Sequence, residues 1–139
     1  MSAVVALSMP FSSAETLFHR AENQVPVAIV QIERPTGRTE IHLQAQAALT
    51  NVCFAASGPN SPYLLASGRN SRYLGGDNVT ACPERRDYTA GDVMVLRFEP
   101  LEAGSSTFSF VSGQGGEKQP IGAVSPSTPY WNFLRVRLN

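Results

Sequence analysis

Residues 39–46 read Thr-Glu-Ile-His-Leu-Gln-Ala-Gln, so Thr39, Ile41, Leu43 and Ala45 alternate with Glu40, His42, Gln44 and Gln46. Successive side chains of a strand leave on opposite sides, and such a run needs a core on one side and water on the other. Shorter runs repeat the pattern: Met94, Leu96 and Phe98 alternate with Val95, Arg97 and Glu99, and Phe108 and Phe110 stand two apart. Each run is bounded by Gly, Pro, Asn or Asp, and no stretch shows a helical period. The chain is expected to be all-β. Eight or nine short strands with turns every eight to twelve residues predict two packed antiparallel sheets, a β-sandwich of Ig-like or related Greek-key type.

The 139 residues suit one domain, assigned to 15–139, large enough to bury roughly 70% of the surface of the unfolded chain. Lys plus Arg and Asp plus Glu are both 11. With no net charge there is no broad basic field for a phosphate backbone, and nucleic acid is not an expected partner. Residues 1–14 contain a short apolar stretch ending in Ser12 and Ala14 at small-x-small spacing, but no Lys or Arg precedes it. They read either as the remnant of an export signal or as a leader or first edge strand. No segment is long and apolar enough to predict a transmembrane helix.

Along the chain, a first strand is expected at 15–23, with Leu17 or Phe18 inward. The next, at 27–34, has Ala28, Val30 and Ile32 on one face and Val27 and Ile29 on the other. Pro35-Thr-Gly-Arg38 turns the chain into the 39–46 strand. Further strands are expected at 52–56, at 63–66 and 71–74 as a hairpin with Gly68 in its turn, and at a short run ending in Cys82. Residues 83–92 read as a polar connection, 113–118 as a flexible loop and 119–129 as a Pro-rich crossing. The last strand, 130–138, turns Leu134, Val136 and Leu138 to the core.

The series Tyr63-Leu-Leu, Gly68-x-x-x-Arg72-Tyr73, Leu96-x-Phe98-Glu99-Pro100-Leu101, Phe108-x-Phe110-Val111-x-Gly113 and Trp131-x-Phe133-x-x-Val136-x-Leu138 resembles a family of bacterial β-sandwich domains. Members recur alone behind export signals or beside peptidase and thiol-redox modules, and their own role is undefined. The similarity spans residues 27–138, and Ser112 stands where an acidic residue would precede the glycine. It implies a sandwich fold and a periplasmic or secreted home. It supplies no catalytic residues.

Cys53 and Cys82 are the only cysteines. In an exported chain they would form a disulfide; in a cytoplasmic one they would be two reduced, buried thiols, and the spacing leaves both open. A Cys53–His42 pair would need one exposed face, and no Gly-x-Ser-x-Gly marks a serine nucleophile. Glu40 and Glu99 are strand-borne acids with nothing to place them across a cleft. Asp77, Asn78, Asp87 and Asp92 are loop oxygen donors that read first as turn formers, and Asn78-Val79-Thr80 fits a glycosylation acceptor. No catalytic residue, metal ligand or cofactor is assigned. The binding candidates are Trp131, Phe133, Arg135 and Arg137, which strict alternation sets opposite the core face of the last strand, with Tyr130 beside Pro129 extending the patch; the bland reading of that face is the second buried side of a central strand, with the arginine stems lying over the sheet. The expected function is a non-enzymatic module for protein–protein interaction or envelope assembly. The alternative is a domain that binds a carbohydrate or small ligand through that aromatic and Arg face, and a small hydrolase is a remote third.

Overall fold

The computed structural model describes residues 14–22, 25–58, 60–112 and 131–138. Their order is β1 (Ala14–Arg20), β2 (Val27–Glu33), β3 (Thr39–Ala45), β4 (Leu49–Val52), β5 (Tyr63–Ala66), β6 (Arg69–Asp77), β7 (Arg86–Tyr88), β8 (Val93–Phe98), β9 (Thr107–Val111) and β10 (Phe133–Arg137). The chain is all-β, with antiparallel pairing between named strands. Eight strands form one sheet in the order β1-β2-β3-β8-β6-β5-β9-β10, and β4 with β7 makes a separate ribbon.

This corrects the expected sandwich. The sheet curls until its two ends meet, where the Glu22 N–H donates to the Asn132 carbonyl at 2.7 Å. The result is a nearly closed, barrel-like sheet rather than a clear pair of facing sheets. Eight strands enclose only enough room for their own side chains, and Ile29, Ile41, Leu43, Leu64, Met94, Leu96, Phe98, Phe110 and Phe133 fill it completely buried.

Two bulges decide which side chains enter that core. In β2, Ile29 faces Leu43 and Gln31 faces His42, so Val30 is an extra residue without an opposite number. One added residue reverses the parity of all that follow. Val27, Ile29 and Ile32 therefore share the core, where strict alternation would divide them. In β10, Phe133 faces Phe110 and Val136 faces Phe108, again with one residue too many. Arg135 absorbs it at φ 53°, and its N–H donates to Ser109 Oγ at 3.1 Å. Phe133 and Val136 both turn inward.

Several boundaries also move. The fourth strand occupies Leu49–Val52 rather than 52–56, and Arg86–Tyr88 is a strand where a polar connection was expected. The run before Cys82 makes only a parallel bridge, Ala81 to Phe54. The β5–β6 hairpin is tighter than read. Ser67 and Gly68 turn it alone with φ values of 53° and 77°, both positive as in a type I′ turn. In β1, Leu17 packs on the core and Phe18 is exposed beneath the Arg20 guanidinium. The expected leader lies outside the described residues up to Ala14, as do the loop at 113–118 and the crossing at 119–129.

Antiparallel order puts the C-terminal ends of β1, β3, β6 and β9 at one end of the barrel, beside the N-terminal ends of β2, β5, β8 and β10. The connections at the opposite end are 34–38, the two-residue turn and 99–106. At the first end they are residues 21–26, 46–62, 78–92 and 112–132. The β4–β7 ribbon belongs to these longer connections and covers that end, with Leu49, Phe54 and Tyr88 joining the core.

Gly76 in β6 lies opposite Leu96, and a Cβ on it would run into the Val95 carbonyl oxygen. The obstacle is ladder backbone, which cannot swing aside as a side chain can. Gly76→Ala is expected to lower stability by about 1–3 kcal/mol, read as a lower urea midpoint with an unchanged slope. An unchanged midpoint would show that β6 and β8 do not pair in this register.

Candidate functional site

A cleft of about 600 Å³ opens at the covered end of the barrel. All four connections at this end contribute to its wall: Pro26 from the first, residues 48–55 and Asn60 from the second, Cys82 and Arg85 from the third, and Ser112 and Trp131 from the fourth. Loops held by a closed scaffold, and the mouths of barrels in particular, are where binding sites concentrate.

Each wall segment is fixed from beneath. Phe54 is buried and meets Trp131 edge-on, with centroids 5.5 Å apart. The Trp131 N–H donates to Ser112 Oγ at 2.8 Å, and the Asn132 Oδ1 accepts from the Ser112 N–H at 3.1 Å. Asn51 takes φ 58° where β4 loses register with β7; its N–H donates to Asp87 Oδ1 at 2.9 Å and its carbonyl accepts from Arg85 Nη1 at 3.0 Å.

Cys53 and Cys82 form a disulfide with Cα atoms 5.0 Å apart, beside the bridge between Phe54 and Ala81. The pair ties the connection at 46–62 to that at 78–92. In the chain-entropy account a loop of this length contributes about 3–4 kcal/mol. It also leaves Cys53 without a free thiol, so the Cys53–His42 pairing has no nucleophile.

The proposed binding face on the last strand is not assembled as strict alternation would have it. Phe133 is fully buried and Trp131 only 8% exposed, while Arg135 and Arg137 point to solvent. The bulge at Arg135 is the cause, since it separates the rings from the guanidinium groups. Trp131 keeps a place in the cleft wall, whereas Phe133 belongs to the core. Tyr130 lies outside the described residues.

The remaining polar candidates have structural partners. Asp92 accepts from the Thr89 N–H and hydroxyl, the Asn78 amide donates to the Val93 carbonyl, and Glu99 accepts from the Arg72 N–H. Asp77 pairs with Arg97. The loop oxygens thus serve turns and strand ends, as Asp and Asn commonly do.

On the outer face of β2 and β3, Glu33 stands directly across from Glu40. Like charges so placed repel, and the two neighbouring arginines compensate them. Arg38 Nε and Arg97 Nε approach Glu40 Oε2 at 2.6 and 3.1 Å, and His42 Nε2 lies 2.9 Å from Glu33 Oε2. Ligand atoms of Glu33, Glu40 and His42 fall within 4.8 Å of one another, the spacing of a donor set for a metal ion. The two guanidinium groups already on Glu40 argue for an ion-paired surface instead. The turn at 34–38 brings Glu33 opposite Glu40, and the bulge at Val30 lies beyond this pair along the hairpin.

No protein-family model matches the chain, and no curated protein or solved structure matches it.

Burial pushes the Glu40 carboxyl up, but hydrogen bonds and charge from Arg38 and Arg97 outweigh it and hold it below the ordinary 4.5. A carboxyl that holds its proton less tightly when folded stabilises the fold above its unfolded value. That contribution disappears as pH falls through the folded value. Glu40→Gln should therefore cost about 1–2 kcal/mol at neutral pH. The gap between wild type and variant should narrow below pH 4.5, read by urea unfolding across a pH series. A gap independent of pH would show that the charge on Glu40 contributes nothing.

Proposed function

We propose that this chain is a non-enzymatic binding module that works outside the cytoplasm and engages a protein partner through the cleft at the barrel mouth. The single observation that carries the reading is the cleft itself, set against a barrel interior filled by side chains. Its wall combines rings, amides, two hydroxyls and one guanidinium, groups that hold a ligand by packing and hydrogen bonding. No carboxylate or imidazole lines it among the described residues. The wall therefore offers no acid–base pair of the kind hydrolysis uses.

The disulfide supports an oxidising compartment, periplasmic or secreted. No helix among the described residues is long and apolar enough to cross a membrane. Membership of the exported bacterial domain family that the strand signatures resemble, and a role in envelope assembly, belong to the same proposal. One observation favours a second reading, a carbohydrate or small ligand: Trp131 stands in the wall, and an indole is a stacking surface for a sugar.

Trp131 is the only tryptophan, so its fluorescence reports on the cleft directly. The full chain titrated with a pool of unstructured synthetic peptides should show a saturable change in Trp131 emission that soluble oligosaccharides do not produce. A response to oligosaccharides alone would transfer the cleft to the second reading, and silence with both would overturn the cleft as a site.

Protein from its native source, alkylated under denaturing conditions without reductant, should carry no free thiol. Two free thiols would overturn the extracytoplasmic assignment.

A further inference from the structure

We infer that the Cys53–Cys82 bond is a site of thiol–disulfide exchange reached through the cleft, and that its reduction by an external dithiol releases the cleft wall while the barrel stays folded. Its value as a switch rests on the binding reading above; the exchange chemistry does not depend on which ligand the cleft takes.

Position carries the first step. Both cysteines line the cleft, Cys82 exposed and Cys53 half-buried. A bond that a thiolate can reach is labile, whereas one enclosed in a core resists reduction. Cys82 belongs to the run from Ala81 to Asp87, in which every residue is exposed. Segments that bury so little surface open at low cost, without the rest of the fold.

The barrel stands apart from the bond. Its eight strands pair with one another around their own core, and the ribbon of β4 and β7 is a separate sheet. Cys53 follows β4 and Cys82 precedes β7, so the bond fastens two connections to each other and joins no barrel strand. Beside it, the Phe54 N–H donates to the Thr80 carbonyl at 3.0 Å, and the Phe54 carbonyl accepts from the Cys82 N–H at 3.2 Å. Once the sulfurs part, the attachment rests on hydrogen bonds of this kind, which open and close individually.

The chemistry follows from the two exposures. Cys82 is the more accessible cysteine, so its Sγ is the sulfur attacked. A thiolate of the dithiol bonds to it, the sulfur–sulfur bond breaks, and Cys53 leaves as a thiolate that takes a proton from water. Arg85 lines the same wall, and its Nη1 donates at 3.0 Å to the carbonyl of Asn51, two residues before Cys53. A positive charge held there favours the departing thiolate. The second thiolate of the dithiol then attacks its own sulfur in the mixed disulfide and releases Cys82, which is protonated in turn. The protein gains two electrons and two protons; the dithiol loses both and becomes a disulfide.

The test uses the full oxidised chain. In native buffer, limiting 2-mercaptoethanol followed by N-ethylmaleimide should leave the mixed disulfide on Cys82 and the maleimide on Cys53, read by peptide mass mapping. The reverse assignment would overturn the direction of attack. Dithiothreitol should reduce the bond without denaturant, at a rate that low urea leaves unchanged; reduction that occurs only as the chain unfolds would overturn the exchange site. In the reduced form, amide hydrogen exchange at residues 80–88 should quicken about tenfold, with β3 and β8 unchanged. Equal protection in both forms, or loss in β3 and β8 as well, would overturn release of the wall. A peptide or oligosaccharide that moves Trp131 emission should bind the reduced form about tenfold more weakly, since a loosened wall must be ordered again. Equal binding to both forms would sink the switch and leave the cleft a binding site. If no ligand moves Trp131 in either form, the binding reading and the switch fall together, and the exchange chemistry is decided by the mapping.

Discussion

The structure depends on the packing of aromatic rings inside the curled sheet. Trp131 meets Phe54, Phe54 meets Tyr73, Tyr73 meets Phe98, Phe98 meets Phe110 and Phe110 meets Phe133, with centroids 5.2–6.3 Å apart. The series leaves β10 just before its start, passes through the covering connection, β6, β8 and β9, and returns to β10. Tilted and edge-on contacts of this kind add about 0.5–1.5 kcal/mol each beyond the area they bury. Their collective effect is to hold distant parts of the sheet around one volume, which a flat sheet could not enclose. The burial that makes Tyr73 part of this series also pushes its phenol up to about 12, so it stays neutral.

An antiparallel barrel has two ends, and this one uses them differently. Short turns close one end and have little surface to offer a ligand. At the other, three of the four connections are longer than any of these, their described residues gather beside the core, and the Cys53–Cys82 bond ties two of them together. The cleft is a consequence of that asymmetry. The wall is anchored through Phe54 and Trp131 to the same rings that fill the barrel.

Outside the barrel, Glu40 is held between two arginines, and Arg97 extends the chain of charges to Asp77. These contacts join β3, β8 and β6 across the solvent face. They are the polar counterpart of the interior packing, and they sit away from the cleft wall.

Strand identity was legible in the sequence wherever alternation ran unbroken. The β3 residues Thr39, Ile41, Leu43 and Ala45 and the β8 residues Met94, Leu96 and Phe98 are buried as their spacing requires. The turn residues at 35–38 and at Gly68 marked their hairpins for the same reason, since local backbone preference is encoded locally. Facing was not legible in β2 and β10. A bulge is a property of two paired strands, and nothing in Val30 or Arg135 alone announces it. Curling of the sheet was equally hidden, because sandwich and barrel share the same alternation and differ only in which strands become neighbours. The cleft lay deepest out of reach: Pro26, Phe54, Arg85, Ser112 and Trp131 stand far apart in the chain, and their convergence is decided by strand order. The sequence by itself determined that the chain is β and which residues suit its core. Only the tertiary structure decided where Trp131 points and what it stands beside, because long-range pairing sets which loops share an end.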